Sequence, residues 1–298
     1  MTIKMNRRIL FIIFCCLAAG GSLEGCTLLG SEEHAFSGEL AYLDAEYQVS
    51  LGPRIPNSQA HIDTAEHIQN ELEAAGWAAE IQETNSSGFP IKNIIAKRGE
   101  GYPWFLVGAH YDTRIYADRD PDPNNHMLPV PGANDGASGV AILLELARSL
   151  PPDPNGQIWL VFFDAEDNGG IQGREWIMGS TAFVQELVGR PDGVIIVDMV
   201  GDANLNIHLE KNSDPVLAAS IWEQAAELGY ADSFINQPYK AILDDHIPFL
   251  QAGIPAIDII DFDYPYWHTI DDTLDKISAE SMQIVGDTLQ AWLSNQLP

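Results

Sequence analysis

An α/β fold, three layers deep, with a mainly parallel twisted sheet and helices on both faces, follows from two patterns in this 298-residue chain. Short apolar runs alternate with helix-length amphipathic segments, as strand–helix–strand crossovers require. Several of the runs end in a carboxylate or an imidazole, and ligands of open parallel sheets collect beyond the carboxyl ends of the strands.

Taken in order, Gly38 to Val49 carries Leu40, Leu43 and Tyr47 at near-helical spacing, and a turn-rich loop spans 51–58. Ser58 is placed to cap a helix over 59–75, whose buried face is read as Ile62, Ala65, Ile68 and Leu72 and which Gly76 closes. His61 and His67 on that helix are read as surface residues. Strands follow at 77–83, 91–97 and 104–109. Beyond them come a helix over 138–149, a strand over 157–163, a helix near 180–188 and a strand over 193–200. Helices over 215–228 and 244–252, a strand over 255–260 and a helix over 278–295 complete the pattern.

The first 26 residues are of different material. Lys4, Arg7 and Arg8 precede an apolar run from Ile9 to Ala19, then small residues lead to Gly25-Cys26. The run is too short for a stable span and reads as a signal peptide. Leu23-Glu24-Gly25-Cys26 resembles a bacterial lipoprotein box, with Cys26 as the lipidated residue, although Glu24 fits it poorly. Simple secretion and an uncleaved anchor are the alternatives. The expected organisation is a leader over 1–26, a tether over 27–36 and one catalytic domain over 37–298, exported to the cell envelope. All three cysteines lie in the leader, so a cysteine nucleophile, a thiolate metal site and a disulfide framework are excluded from the domain.

The formal charge of −28 becomes about −30 without the leader, which carries three basic residues and Glu24. Nucleic acid is a poor partner for such a surface. The long-range field favours a cationic group such as a peptide amino terminus, and the same charge also serves solubility.

Four strand tips carry the chemistry. Trp104–Ala109 ends in His110-Tyr111-Asp112, and the strand beginning at Ile158 ends in Asp164-Ala165-Glu166-Asp167. The strand beginning at Val194 ends in Asp198, and the strand beginning at Ala256 leads to Tyr266-Trp267-His268-Thr269. Asp135 lies in Gly132-Ala133-Asn134-Asp135-Gly136, a tight turn at a helix entrance facing the same edge. One such tip is an ordinary turn; four on one edge imply a site. Clustered acids repel one another and raise each other's pKa, which a divalent cation relieves. Imidazole with carboxylate and no thiol suits zinc, and manganese or cobalt as well. The long loop over 114–131 has no EF-hand spacing and reads as a solvated insertion, and His126 and His208 read as non-ligands.

These motifs together, HYD, GANDGASG, FFDAED, the aspartate of VDMVGD and YWHTIDDTLDKIS, resemble the family-28 zinc metallopeptidases, the superfamily of di-zinc aminopeptidases and animal-type glutaminyl cyclases. The likeness runs from about Gly52 to the end and implies the zinc-exopeptidase form of the fold. In the aminopeptidase pattern His110 and Asp198 would hold one zinc, Asp167 and His268 a second, with Asp135 bridging and Glu166 as general base. In the cyclase pattern one zinc is held by Asp135, Asp167 and His268. Glu166, Asp198 and Asp244 then form an acidic network, and Trp267 and Trp176 line the substrate pocket. Asp112 is expected to support His110 at the reacting centre. The family commonly has glutamate where this chain has Asp167, one methylene shorter. Helix capping is the alternative role for Asp244, and core packing the alternative for Trp267. The segments around Asp244 and Trp267 favour a glutaminyl-peptide cyclotransferase; an aminopeptidase is the alternative, and an inactive peptide-binding module the remote one.

Overall fold

The structure, a computed structural model, describes residues 35–297. The leader and Cys26 lie outside the described residues. Seven helices are described: α1 (Gly38–Leu51), α2 (Gln59–Ala74), α3 (Ala137–Ser149), α4 (Met178–Glu186), α5 (Pro215–Glu227), α6 (Ile247–Gln251) and α7 (Ala279–Gln296). The strands are β1 (Ala78–Ser86), β2 (Phe89–Gly99), β3 (Trp104–His110), β4 (Gln157–Phe163), β5 (Gly193–Asp198), β6 (Ile207–Leu209), β7 (Phe234–Pro238) and β8 (Ala256–Ile260).

Six of the strands form one sheet in the order β1-β2-β4-β3-β5-β8. β4, β3, β5 and β8 pair in parallel, as the alternating pattern requires. β1 and β2 join as an antiparallel hairpin along the β4 side. The period-2 rule explains how the sheet is covered twice. Phe105, Val107 and Ala109 of β3, with Ile195 and Val197 of β5, enter the larger core with α1, α3, α5 and α7. Leu106 of β3 and Val194 and Ile196 of β5 face the other way, onto Phe183 of α4 and Phe249 of α6. Strands buried on both faces read as continuous apolar runs, which is why they were legible.

The start of α3 is fixed by close approach to the sheet. A Cβ at Gly139 would lie 2.3 Å from the Val197 carbonyl oxygen, so the first turn of α3 rests directly on β5. Gly136, just before the helix, has φ +102°, a conformation that L side chains rarely adopt. Asp135 is thereby held in a loop with little room to move.

Three features differ from the sequence reading. β6 and β7, which pair as a separate two-stranded sheet, were not expected. The helix expected over 244–252 is reduced to α6, whose Pro248 occupies the first turn and lacks the N–H that a longer helix would need. On α2, Ile62 is 41% exposed, and His61, expected at the surface, is 5% exposed. The buried stripe is therefore His61, Ala65, Ile68 and Leu72. His67, at intermediate depth, lies 4.0 Å from Asp44.

His61 reaches its buried position because it has a partner there. Its Nε2 lies 2.8 Å from Asp164 Oδ1, its ring stacks on Tyr111 at 4.9 Å, and Asp164 Oδ2 accepts the Lys92 amide. Burial opposes the imidazolium, but the hydrogen bond and charge of Asp164 outweigh it and raise the His61 pKa. A raised imidazole pKa adds stability that is complete below the unfolded value and disappears as pH rises through the folded one. His61→Gln should therefore lose about 1.5–3 kcal/mol in urea unfolding at pH 5.5 and clearly less at pH 8.5. An equal loss at both pH values would rule out a charged pair.

Candidate metal centre and active site

The parallel pairings set the chemistry-bearing tips side by side, with His110 opposite Phe163 and Asp198 opposite Ile260. His110 Nε2 lies 3.2 Å from Asp135 Oδ1 and 3.1 Å from Asp198 Oδ1. His268 Nε2 lies 2.8 Å from Asp167 Oδ1 and 3.6 Å from Asp135 Oδ2. Two ligand groups result, His110–Asp135–Asp198 and Asp135–Asp167–His268, each with its donor atoms within 4.8 Å of one another. They share Asp135. The shorter Asp167 side chain still reaches the site from the tip of β4.

Local backbone strain helps aim these groups. Ala165, Met199 and His268 have φ of 54°, 46° and 57°, left-handed values unusual for residues with a Cβ. Such residues cluster at functional sites because the surroundings enforce them. Here Ala165 precedes Glu166, Met199 follows Asp198, and His268 is a candidate ligand itself.

The residues present fit a metal ion. Asp135 Oδ2 and Asp167 Oδ2 are buried and accept no hydrogen bond, which is costly for carboxylate oxygens unless a cation takes their lone pairs. Burial pushes Asp198 up to about 7, against the nearby His110 and with repulsion from Asp244 and Asp135. Burial likewise pushes Asp167 up to about 6, with repulsion from Asp135 adding to it. His268 moves the other way, to about 9, because the charges of Asp167 and Asp135 and the hydrogen bonds of Asp118 and Asp167 outweigh its own burial. Oxygen and imidazole donors without sulfur are a zinc set.

Backbone-directed carboxylates hold the ligands. Asp112 accepts the amides of Glu166 at 3.0 Å and Asp167 at 3.3 Å and the Asn168 side chain at 3.0 Å, while lying 3.6 Å from His110 Nδ1. Asp112 is fully buried behind the centre, beside the His110 ring nitrogen it was expected to support and under the segment bearing Glu166 and Asp167. Asp272 accepts the amides of Asn134 and Asp135 and the Tyr264 hydroxyl, fixing the turn that carries Asp135. Asp118 lies 3.6 Å from His268 Nδ1, and Asp120 accepts the Ile270 amide. Residues 114–120 thus brace the back of His268, while 121–129 are exposed or half-buried, as a solvated insertion would be. Asp118, Asp272 and the buried Arg54, which donates to the Pro131 and Gly132 carbonyls, were not singled out from the sequence. Arg54 follows a Gly-Pro turn, and that was the one local signal available.

The substrate cleft, of about 470 Å³, opens over these ligands. Asp135, Glu166, Asp167, Asp198 and Asp244 line its depth, with Trp176 and Trp267 among its walls. Trp176 stacks on the His268 ring at 6.2 Å with planes 6° apart, and Trp267 lies 3.9 Å from the same ring and 5.2 Å from Phe262. Asp244 faces the cleft; the residue capping α6 is His246, so the capping role considered for Asp244 is not seen. Glu166 lines the cleft while its neighbour Asp167 bonds His268, so one acid of the pair is free for proton transfer. Burial, with repulsion from Asp167, Asp244 and Asp245 against the pull of His110, raises Glu166 well above the usual carboxylate range. His126 bonds the Asp120 carbonyl and His208 lies 3.9 Å from Asp263, so neither joins a ligand group.

A parallel-sheet edge with this ligand set and a cleft-lining acid defines a zinc-dependent enzyme of the exopeptidase fold. Residues 93–293 match Peptidase family M28, and the chain belongs to that family. It is similar to the crystal structure of Tannerella forsythia glutaminyl cyclase, with TM-score 0.81 and 35% identity over 88% of this chain and 99% of that one. A leucine aminopeptidase precursor from Bacteroides thetaiotaomicron gives TM-score 0.82 and 34% identity over 88% and 98%. Glutaminyl-peptide cyclotransferase of Boiga irregularis is 25% identical over 82% of this chain and 77% of its own length.

Because Asp112 orients the segment bearing Glu166 and Asp167 and approaches His110, Asp112→Ala should weaken zinc affinity by about 10–100-fold. Competition with a zinc-chelating dye reads this directly. An unchanged affinity in a folded variant would remove Asp112 from the support of the centre.

Proposed function

We propose that the protein is a glutaminyl-peptide cyclotransferase, converting an amino-terminal glutamine to pyroglutamate with release of ammonia. The observation that carries this reading is the cleft itself. Glu166 lies free beside the Asp135–Asp167–His268 group and is enclosed by Trp176, Trp267 and the acids Asp198 and Asp244. Zinc held by Asp135, Asp167 and His268 would supply Lewis acidity toward the γ-amide carbonyl of the substrate. The acidic depth of the cleft receives the substrate's amino terminus. Glu166 takes the proton as the α-amine nitrogen bonds to the γ-amide carbon, then delivers it to the amide nitrogen, whose bond to that carbon breaks as ammonia leaves. A carboxyl group whose pKa is raised above the usual carboxylate range holds a transferred proton more firmly, which suits it to both transfers. The aromatic walls hold amine and amide in register and exclude water, and an intramolecular attack gains chiefly from such orientation.

One observation favours the aminopeptidase reading as an alternative. The second ligand group, His110–Asp135–Asp198, is complete and shares Asp135 with the first, so two ions fit the donor set. The inferred count is one zinc for cyclisation and two for hydrolysis. An inactive binding module is disfavoured by the intact ligand groups. The residues before 35 support export with a lipid tether at Cys26 through their sequence alone.

A Gln-initiated peptide and Leu-4-nitroanilide separate the two activities. Ammonia release with a blocked amino terminus is the expected result; free nitroaniline would replace this reading with the peptidase one, and two tightly bound zincs per chain would count the same way. Glu166→Gln should reduce turnover by about 10²–10⁴-fold while zinc content stays constant. Retained turnover would sink the role given to Glu166.

A further inference from the structure

The far end of the cleft carries charge of the opposite sign to its depth. Lys211, Tyr239, Ala241 and Leu243 form an exposed lip with the half-buried Lys240. The Lys240 ammonium lies 4.5 Å from the Tyr239 ring centre and 4.7 Å from that of Phe262, which holds it over the aromatic wall. The Arg119 guanidinium lies 5.3 Å from the centre of the Trp267 ring, which in turn packs on Phe262 at 5.2 Å.

These three cations share an unusual property. The chain has 43 Asp and Glu against 15 Lys and Arg, so a basic side chain has carboxylates to choose from. Every other Lys or Arg of the described residues bonds a carboxylate, a carboxamide or a backbone carbonyl. Among the described residues, Lys211, Lys240 and Arg119 alone have no such side-chain partner; the two lysines line this cleft and Arg119 lies over the ring of its wall residue Trp267. Their mounting is firm. The Lys211 amide donates to the Lys240 carbonyl at 2.8 Å, and Glu210 accepts the amides of Ile242, Asn212 and Ser213, tying both lysine-bearing loops together.

We infer that Lys211 and Lys240, with Arg119 on the adjoining Trp267 wall, form a subsite for a substrate carboxylate one or two residues beyond the reacting amino terminus. This rests on the proposed action at peptide amino termini and names the substrate class: peptides carrying an acidic residue just downstream, or short peptides whose own carboxyl terminus falls there. The two charge zones match the polarity of such a peptide, with its amine at the acids and its carboxylate at the lysines. A net-negative enzyme repels an anionic peptide at long range, so the attraction is local and confined to the lip.

The test compares Gln-Ala-NH₂, Gln-Ala-OH, Gln-Glu-NH₂ and Gln-Ala-Glu-NH₂, which separate a terminal carboxylate from a side-chain one. Wild-type enzyme should favour at least one carboxylate-bearing peptide over Gln-Ala-NH₂ by about three- to tenfold in kcat/KM, expressed mainly in KM and reduced by added salt. In the double variant Lys211→Met, Lys240→Met that ratio should fall to unity whatever the absolute rate, and Lys211→Arg, Lys240→Arg should restore it. Binding of the same peptides to the zinc-loaded Glu166→Gln variant, followed by calorimetry, reads the subsite without turnover. A ratio of unity in wild type and in that binding measurement, or one that survives the double Met variant, overturns the inference. Absence of ammonia from every Gln peptide, with the binding preference intact, overturns the cyclase reading and leaves the subsite standing.

Discussion

Parallel pairing of β4, β3, β5 and β8 puts the carboxyl ends of all four strands on one edge, and the site cannot exist without that register. His268 and Asp167 are 101 positions apart in the chain and 2.8 Å apart in space. A slip of one residue in a strand buried on both faces would exchange its two apolar sets and turn the tip residue away from its partners. The same packing that excludes water from Leu106, Val107, Ile195 and Ile196 therefore sets the aim of His110 and Asp198. Stability and ligand geometry are two consequences of one arrangement.

Strand register positions the tips only coarsely, and the remaining freedom is removed by carboxylates that bind backbone amides. Asp112 holds the 166–168 segment, Asp272 holds the Asp135 turn, Asp120 holds the chain after His268, and Glu210 joins the two loops at the cleft lip. Each is a short charged side chain that accepts two or more hydrogen bonds, and hydrogen bonds to ionised acceptors are the stronger kind. A chain so rich in acids uses a good share of them as internal ties. Its large negative charge is accordingly a poor guide to its surface alone.

How far this was legible in the sequence depends on the kind of signal each part leaves. Strands such as 157–163 were found with their observed bounds because double-sided burial demands an unbroken apolar run. The candidate ligands His110 and Asp198 are legible because they end such runs, and Asp135 because glycines crowd around it. β6 and β7 escaped notice: Ile207–Leu209 is three residues long, and β7 is largely exposed, so neither repeats a period. His61 was misplaced because a helix face was judged by apolar residues, whereas Asp164, 103 positions away, supplies the reason a histidine is buried there. Asp118 and Asp272 left no trace for the same cause, since their role exists only once the chain has folded around His268 and Asp135. Residues that touch the reaction follow elements; residues that steady them follow contacts, and contacts are not local in sequence.

The electrostatic logic of the centre also explains where positive charge is placed. At Asp167, Asp198 and Glu166 burial is the largest influence and raises the carboxyl groups, whereas at Asp135 burial is outweighed by His110, His268 and Arg114. Arg114, the basic side chain facing Asp167, stands 4.0 Å from it and is bonded to Asp118 and to the Asp167 carbonyl. A guanidinium placed fully among these acids would neutralise them permanently and fill the lone pairs that a zinc ion and a substrate amine must use. The fold instead keeps guanidinium and ammonium groups out of the depth of the cleft and leaves its uncommitted lysines at the lip. The centre thus draws its balancing charge from what it binds, so that ligand affinity and the cost of burying the acids are one and the same quantity.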